Sequence, residues 1–183
     1  MRAIIFGMAA AMVLLAGGAY AQNEVLKNRD FKDGLKHWLP ESRLALSASK
    51  TGFSVETADG VPCLAAVGSP DGNMKAFQLV QHIALPEADI LGKKVTFSAD
   101  INAEKISGTF LFMIREAGNK GSIRYRKITL DKWTEPGWKK YTAEFVVFKP
   151  TRYLQVYFQT HYPKPDDRIL VKNVSVILSD RKN

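Results

Sequence analysis

The sequence has little of what most catalytic chemistry needs. It carries one cysteine and three histidines in 183 residues. A lone Cys63 excludes an internal disulfide. It lies in the apolar run Val61-Pro62-Cys63-Leu64-Ala65, which reads as a buried structural thiol and not a nucleophile. His37, His82 and His161 are far from one another and from Cys63, so no metal-ligand spacing is present. No Gly-x-Ser-x-Gly elbow or His-Glu-x-x-His helix occurs, which removes two common hydrolase signatures. Long amphipathic stretches are absent too; only residues 86–91 suit a single helical turn. There is no internal repeat and no low-complexity segment, and past the first 21 residues no apolar run reaches the ~20 residues of a membrane span.

What is present begins with a leader. Met1-Arg2 is a short positive start, Ala3 to Ala16 is apolar apart from Gly7, and Gly17-Gly18-Ala19-Tyr20-Ala21 ends in small residues with Ala-x-Ala spacing. This layout predicts a secretory signal peptide over 1–21, cleaved after Ala21, and a secreted or periplasmic protein. Removing 21 of 183 residues leaves 162, the size of one domain, 22–183. The formal charge is +8, or +7 without Arg2, with clusters at Arg124-Tyr125-Arg126-Lys127, Lys139-Lys140 and Arg181-Lys182. Export speaks against nucleic acid as the partner of this excess. It leaves solubility, an anionic glycan or a phosphorylated surface.

The rest reads as short strands, over residues 24–28, 43–48, 53–57, 62–67, 76–84, 94–102, 109–116, 122–130, 138–148, 153–160 and 169–178. Between them stand breakers such as Ala58-Asp59-Gly60, Ala117-Gly118-Asn119-Lys120-Gly121 and Glu135-Pro136-Gly137. Many short strands without intervening helices predict an all-β antiparallel sandwich, a jelly roll. Alternation assigns faces. Val95, Phe97, Ala99 and Ile101 share one face of their strand; Phe110, Phe112 and Ile114 oppose Leu111, Met113 and Arg115. In the stretch 153–160, Leu154, Val156 and Phe158 face the core, while Tyr153, Gln155, Tyr157 and Gln159 face away. Rings and amides on one face suit a sugar, which needs both a flat apolar surface and hydrogen bonds.

Four segments carry a resemblance. They are Asn28-Arg29-Asp30-Phe31-Lys32-Asp33-Gly34-Leu35-Lys36-His37-Trp38; Gln78 to Pro86 with Gly92 to Asp100; Trp138-Lys139-Lys140-Tyr141-Thr142-Ala143-Glu144-Phe145; and Val171-Lys172-Asn173-Val174-Ser175-Val176. In that order they resemble carbohydrate-binding modules of the galactose-binding-like jelly-roll type, the cellulose- and xylan-binding group. The resemblance implies a glycan held either in a sheet groove or at an edge loop. The groove would use Tyr157 as a stacking ring, Gln155, Gln159 and Arg115 as polar contacts (Arg115 suited to a carboxylate), and Asp100 from a neighbouring face. The edge would use Trp133 in the loop 131–135 and Tyr162. Phe31, Trp38 and Trp138 read as core anchors.

The resemblance also implies a structural calcium beside the opening segment. Lys32 and Lys172 stand where acidic ligands are usual in the group, and a lysine supplies no oxygen and repels the ion, so no cofactor is expected. The partner is then an oligo- or polysaccharide, anionic or neutral, with a secreted enzyme as a further partner. Two other readings remain: a protein-interaction or envelope-structural sandwich, and a small glycan hydrolase or lyase. The last would need two carboxylates, from among Glu56, Glu116 and Glu144, or an acid with a Tyr or His, to converge in one cleft.

Overall fold

The computed structural model describes residues 23–40, 52–68, 76–83, 85–119, 121–148 and 151–180. The expected leader, the strand expected at 43–48 and the basic pair at 181–182 lie outside them. The elements are β1 (Asn23–Glu24), β2 (Leu39–Pro40), β3 (Phe53–Ala58), β4 (Val61–Val67), β5 (Ala76–Ile83), α1 (Glu87–Ile90), β6 (Lys94–Lys105), β7 (Thr109–Gly118), β8 (Gly121–Asp131), β9 (Trp138–Val146), β10 (Tyr153–His161) and β11 (Arg168–Ser179). They build two antiparallel sheets. One runs β3-β4-β11-β6-β9, with β1 also on β11; the other runs β2-β5-β10-β7-β8. The chain is an antiparallel jelly-roll sandwich, as its alternation predicts. The strand expected at 24–28 shortens to β1, because Asn28 starts a turn with positive φ.

The inner faces form one core. Phe97 of β6 meets Phe112 of β7 edge-on at 5.1 Å, joining the sheets. Phe112 stacks on Phe158 of β10 at 5.0 Å, and Phe158 also meets the Trp38 ring at 5.3 Å. Trp38 and Phe31 are buried and in ring contact, so both are the anchors expected of them.

One residue holds that opening segment in place. The Asn28 side chain donates to the carbonyls of Gly34 (2.9 Å) and Lys36 (3.0 Å) and accepts from the Asp33 amide. Its own carbonyl accepts from Trp38 Nε1. At the far end of the sandwich, Gly108 allows the chain to pass close to the β10 exit. A β-carbon there would lie 2.0 Å from the His161 carbonyl oxygen.

Trp138 is not a core anchor. It pairs with Asn102 on the outer side of the six-stranded sheet and is only half-buried. Its Nε1 donates to Asp59, and the Lys172 ammonium lies 3.8 Å from the ring centre. The two tryptophans should therefore separate in urea unfolding. Trp38→Ala should cost about 3–5 kcal/mol, the range for an aromatic deleted from a core. Trp138→Ala should cost about 1 kcal/mol, the order of a cation–π contact near the surface.

Candidate functional site

Strand register builds rows of side chains across the outer face of the five-stranded sheet. Gln155 on β10 lies opposite His82 on β5 and Arg115 on β7, and Arg115 lies opposite Tyr125 on β8. The row is thus His82–Gln155–Arg115–Tyr125. Beside it runs Val80–Tyr157–Met113–Lys127, and then Gln78–Gln159–Leu111–Thr129. Of the six residues predicted from sequence, Arg115, Gln155, Tyr157 and Gln159 meet here.

They do not meet as open contacts. Gln155 is buried, and both ends of its amide are in use. Its Oε1 accepts from Arg115 Nε at 2.6 Å and from the Tyr157 hydroxyl at 3.1 Å. Its Nε2 lies 2.9 and 3.1 Å from the His82 ring nitrogens. Tyr157 is only 3 % exposed, packed with Val80 and Met113 in a second small apolar cluster. The Arg115 guanidinium lies 5.1 Å from its ring centre. The stacking ring expected at Tyr157 is therefore covered, because β10 lies inside its sheet and both of its faces are packed. Tyr157 and Gln155 act here as tethers for Arg115. Gln159 is buried beside them.

The exposed rings are others. Tyr125 is 46 % and Tyr153 36 % exposed, and they flank Arg115 from β8 and β10. Tyr153 also stacks on His82 at 6.3 Å and 28°. Alternation had put Tyr153 on this face. Tyr125 sits inside a basic cluster, and its charge pattern hid its position opposite Arg115.

Asp100 does not join this face. It lies on β6 in the other sheet, in register with Lys172 and Lys140, and accepts from the Asn173 amide at 2.7 Å. Alternation tells which side of a strand a residue takes, but not which sheet holds that strand. Trp133 is 79 % exposed in the β8–β9 turn. Its amide donates to Asp131 Oδ1, and the Lys132 ammonium lies 4.9 Å from its ring. Asp131 and His161 both end their strands opposite Thr109, so Trp133 and Tyr162 leave the sheet at the end remote from Arg115.

The three glutamates considered for hydrolysis are apart. Glu56 on β3 pairs with Arg168 at 2.6 Å, and Glu144 on β9 pairs with Lys94 at 2.7 Å, on opposite edges of the six-stranded sheet. Glu116 is buried in the other sheet, bound to Arg124, the Phe148 amide and the Thr151 hydroxyl. Lysine and hydrogen bonds from Lys94 and Thr96 hold the Glu144 carboxyl below its usual range. The site a calcium would take by resemblance does not fit the ion. The hollow there is lined by Arg29, Lys32 and Lys172 along with Asp30 and Asn173, and Asp30 already pairs with Lys32 at 2.8 Å. With Asp30 taken by Lys32, Asn173 is the remaining side-chain oxygen donor lining the hollow, short of the several oxygens the ion needs.

No protein-family profile matches the chain, and no curated protein sequence does. Solved structures do. A cyclase from Fischerella sp. TAU matches with TM-score 0.64 and 10% identity over 89% of this chain and 100% of its own. A xylan-binding domain from Paenibacillus barcinonensis matches with TM-score 0.56 and 12% identity, over 90% and 99%. The enzymatically active domain of a bacteriophage CBA120 tailspike protein matches with TM-score 0.62 and 13% identity over 85% of this chain. The chain spans 21% of that tailspike structure. At such identities the likeness is one of fold: this is the jelly roll found in carbohydrate-binding modules, and enzymes share it. Among the described residues no helix is long and apolar enough to cross a membrane.

Two outcomes follow from the tethering. Tyr157→Phe removes the hydroxyl bond to Gln155 and should cost about 1 kcal/mol in urea unfolding. His161 is held below its ordinary pKa by burial first and by Lys127 second. The unfolded chain therefore binds this proton more readily. The stability His161 contributes is present above the ordinary histidine pKa of ~6.5 and is lost as pH falls towards the folded value. The wild type should lose more urea resistance between about pH 7.5 and about pH 5 than His161→Gln does.

Proposed function

We propose that the chain is an exported, non-catalytic carbohydrate-binding module that takes a glycan across the outer face of the five-stranded sheet, over β10, β7 and β8. The observation that carries this is the pair of exposed rings, Tyr125 and Tyr153, on either side of the fixed Arg115. A pyranose presents apolar C–H faces and polar edges. Rings of two tyrosines receive the former, and a guanidinium held between them receives the latter. The face is three strands wide, its outer strands two spacings or roughly 10 Å apart, which suits an extended oligosaccharide. The likeness to a xylan-binding domain over nearly its full length supports the reading. The dispersal of Glu56, Glu116 and Glu144, each tied to a cation, supports binding without hydrolysis. Export is carried by the leader at 1–21.

Affinity electrophoresis through gels containing soluble neutral and acidic polysaccharides tests this. Tyr125→Ala and Tyr153→Ala should each weaken retention roughly fivefold, the scale of one aromatic contact, with the fold intact. Trp133→Ala should leave retention unchanged. The opposite pattern moves the site to the Trp133–Tyr162 end, and no retention on any polysaccharide removes the glycan reading.

A further inference from the structure

We infer that the glycan taken by this face is acidic, its carboxylate or sulfate seated between Arg115 and Lys127. The inference rests on the glycan reading above and names its ligand class.

The two outer faces treat charge in opposite ways. On the six-stranded sheet three cations are paired in place. Arg168 lies between Glu56 and Glu104, Lys172 meets Asp59, and Lys94 meets Glu144. On the five-stranded sheet Arg115 and Lys127 make no ion pair with any described residue. Among the described residues Asp131 is the carboxylate on that face. It lies three rows from Arg115, at the end of β8, and accepts from the Trp133 amide. A face that, among the described residues, keeps two cations and places no carboxylate beside them is complementary to an anion.

Arg115 is also fixed in a way that suits one. Its Nε donates to Gln155, and its guanidinium lies against the Tyr157 ring. Gln155 is in turn held by His82 and the Tyr157 hydroxyl. These contacts set the guanidinium plane and leave its two terminal nitrogens without a partner among the described residues. Two parallel N–H donors in a set plane match a carboxylate bidentately. Lys127 is the diagonal neighbour of Arg115 through the Met113–Lys127 pairing, at a distance of roughly 7–8 Å. Its charge reaches across the face, where it adds to the burial that lowers the His161 pKa.

Isothermal titration of the exported chain with three probes tests the inference: an oligogalacturonate, a heparin oligosaccharide and an unsubstituted xylo-oligosaccharide. The oligogalacturonate should bind at least tenfold more tightly than the xylo-oligosaccharide. Arg115→Lys keeps the charge and loses the fork, and Lys127→Ala changes an exposed side chain. Each should weaken acidic binding roughly tenfold, with unfolding temperature as the control for folding. Tighter binding of heparin than of oligogalacturonate, lost in the same variants, also supports an acidic ligand and assigns the acid as sulfate. If the xylo-oligosaccharide binds as tightly as the acids, or if both variants bind acids like the wild type, the inference falls while the glycan reading stands. If none of the three binds, both fall.

Discussion

A strand inside a sandwich with both faces packed must satisfy its polar side chains from within the protein, and β10 is such a strand. Its inner face is Leu154, Val156 and Phe158, committed to the core. Its outer face carries Gln155, Tyr157 and Gln159, all buried. An unpartnered buried amide costs more than a made hydrogen bond returns. Gln155 is satisfied by Arg115 Nε, the Tyr157 hydroxyl and the His82 ring. The outcome is directional. Register puts His82 and Arg115 on its two flanks and Tyr157 two residues on, so satisfying Gln155 fixes Arg115. A demand of packing thus sets the geometry of the Arg115 guanidinium in the middle of the face.

The other sheet solves the same problem differently. On its outer side Cys63, Ala65 and Leu170 are buried, and the adjoining rows carry long side chains with charged ends. Lys172 lies against Trp138, and Arg168 spans two glutamates. Aliphatic stems cover apolar surface there while the charged heads stay near water and pair with one another. Burial raises the Cys63 thiol above its usual pKa, which keeps it protonated and unreactive. That face is closed and electrically balanced. Its pairs stabilise modestly, since exposed ion pairs contribute about 0–1 kcal/mol each.

Much of this was legible from residue order. Period-two alternation located ten of the eleven strands, and breakers such as Ala58-Asp59-Gly60 marked their ends; the tenth place was earned only in part, as β1 is far shorter than the pattern suggested. β2 escaped notice because Leu39-Pro40 is two residues long, too short for any period to show. Faces were legible wherever both neighbours in the strand were unambiguous, as in 154–159. What residue order did not carry was pairing across strands. Asp100 and Arg115 both face outward, yet they belong to different sheets, and only the ladder tells them apart. Tyr157 looked like a platform because alternation reports direction and not depth. The cover on Tyr157 comes from Arg115, Met113 and Val80, which are contributed by other strands.

Among the described residues, Arg115 differs from Arg124 and Arg168 in being fixed by neutral groups and not by carboxylates. The net charge of +8 draws any anion towards the surface, and salt screens that attraction over about 8–10 Å. It cannot choose between one acid and another. A guanidinium whose plane is set by Gln155 and Tyr157 can, because the side-chain entropy of holding it has been spent in folding and only an acid of matching plane gains both hydrogen bonds. In the proposed site, the exposed rings of Tyr125 and Tyr153 on either side would limit where the rest of a ligand lies. On the proposed acidic-ligand reading, attraction and choice would be carried by different groups on this face. The diffuse excess of lysine and arginine would supply approach, and Arg115, held by a buried glutamine, would supply selection.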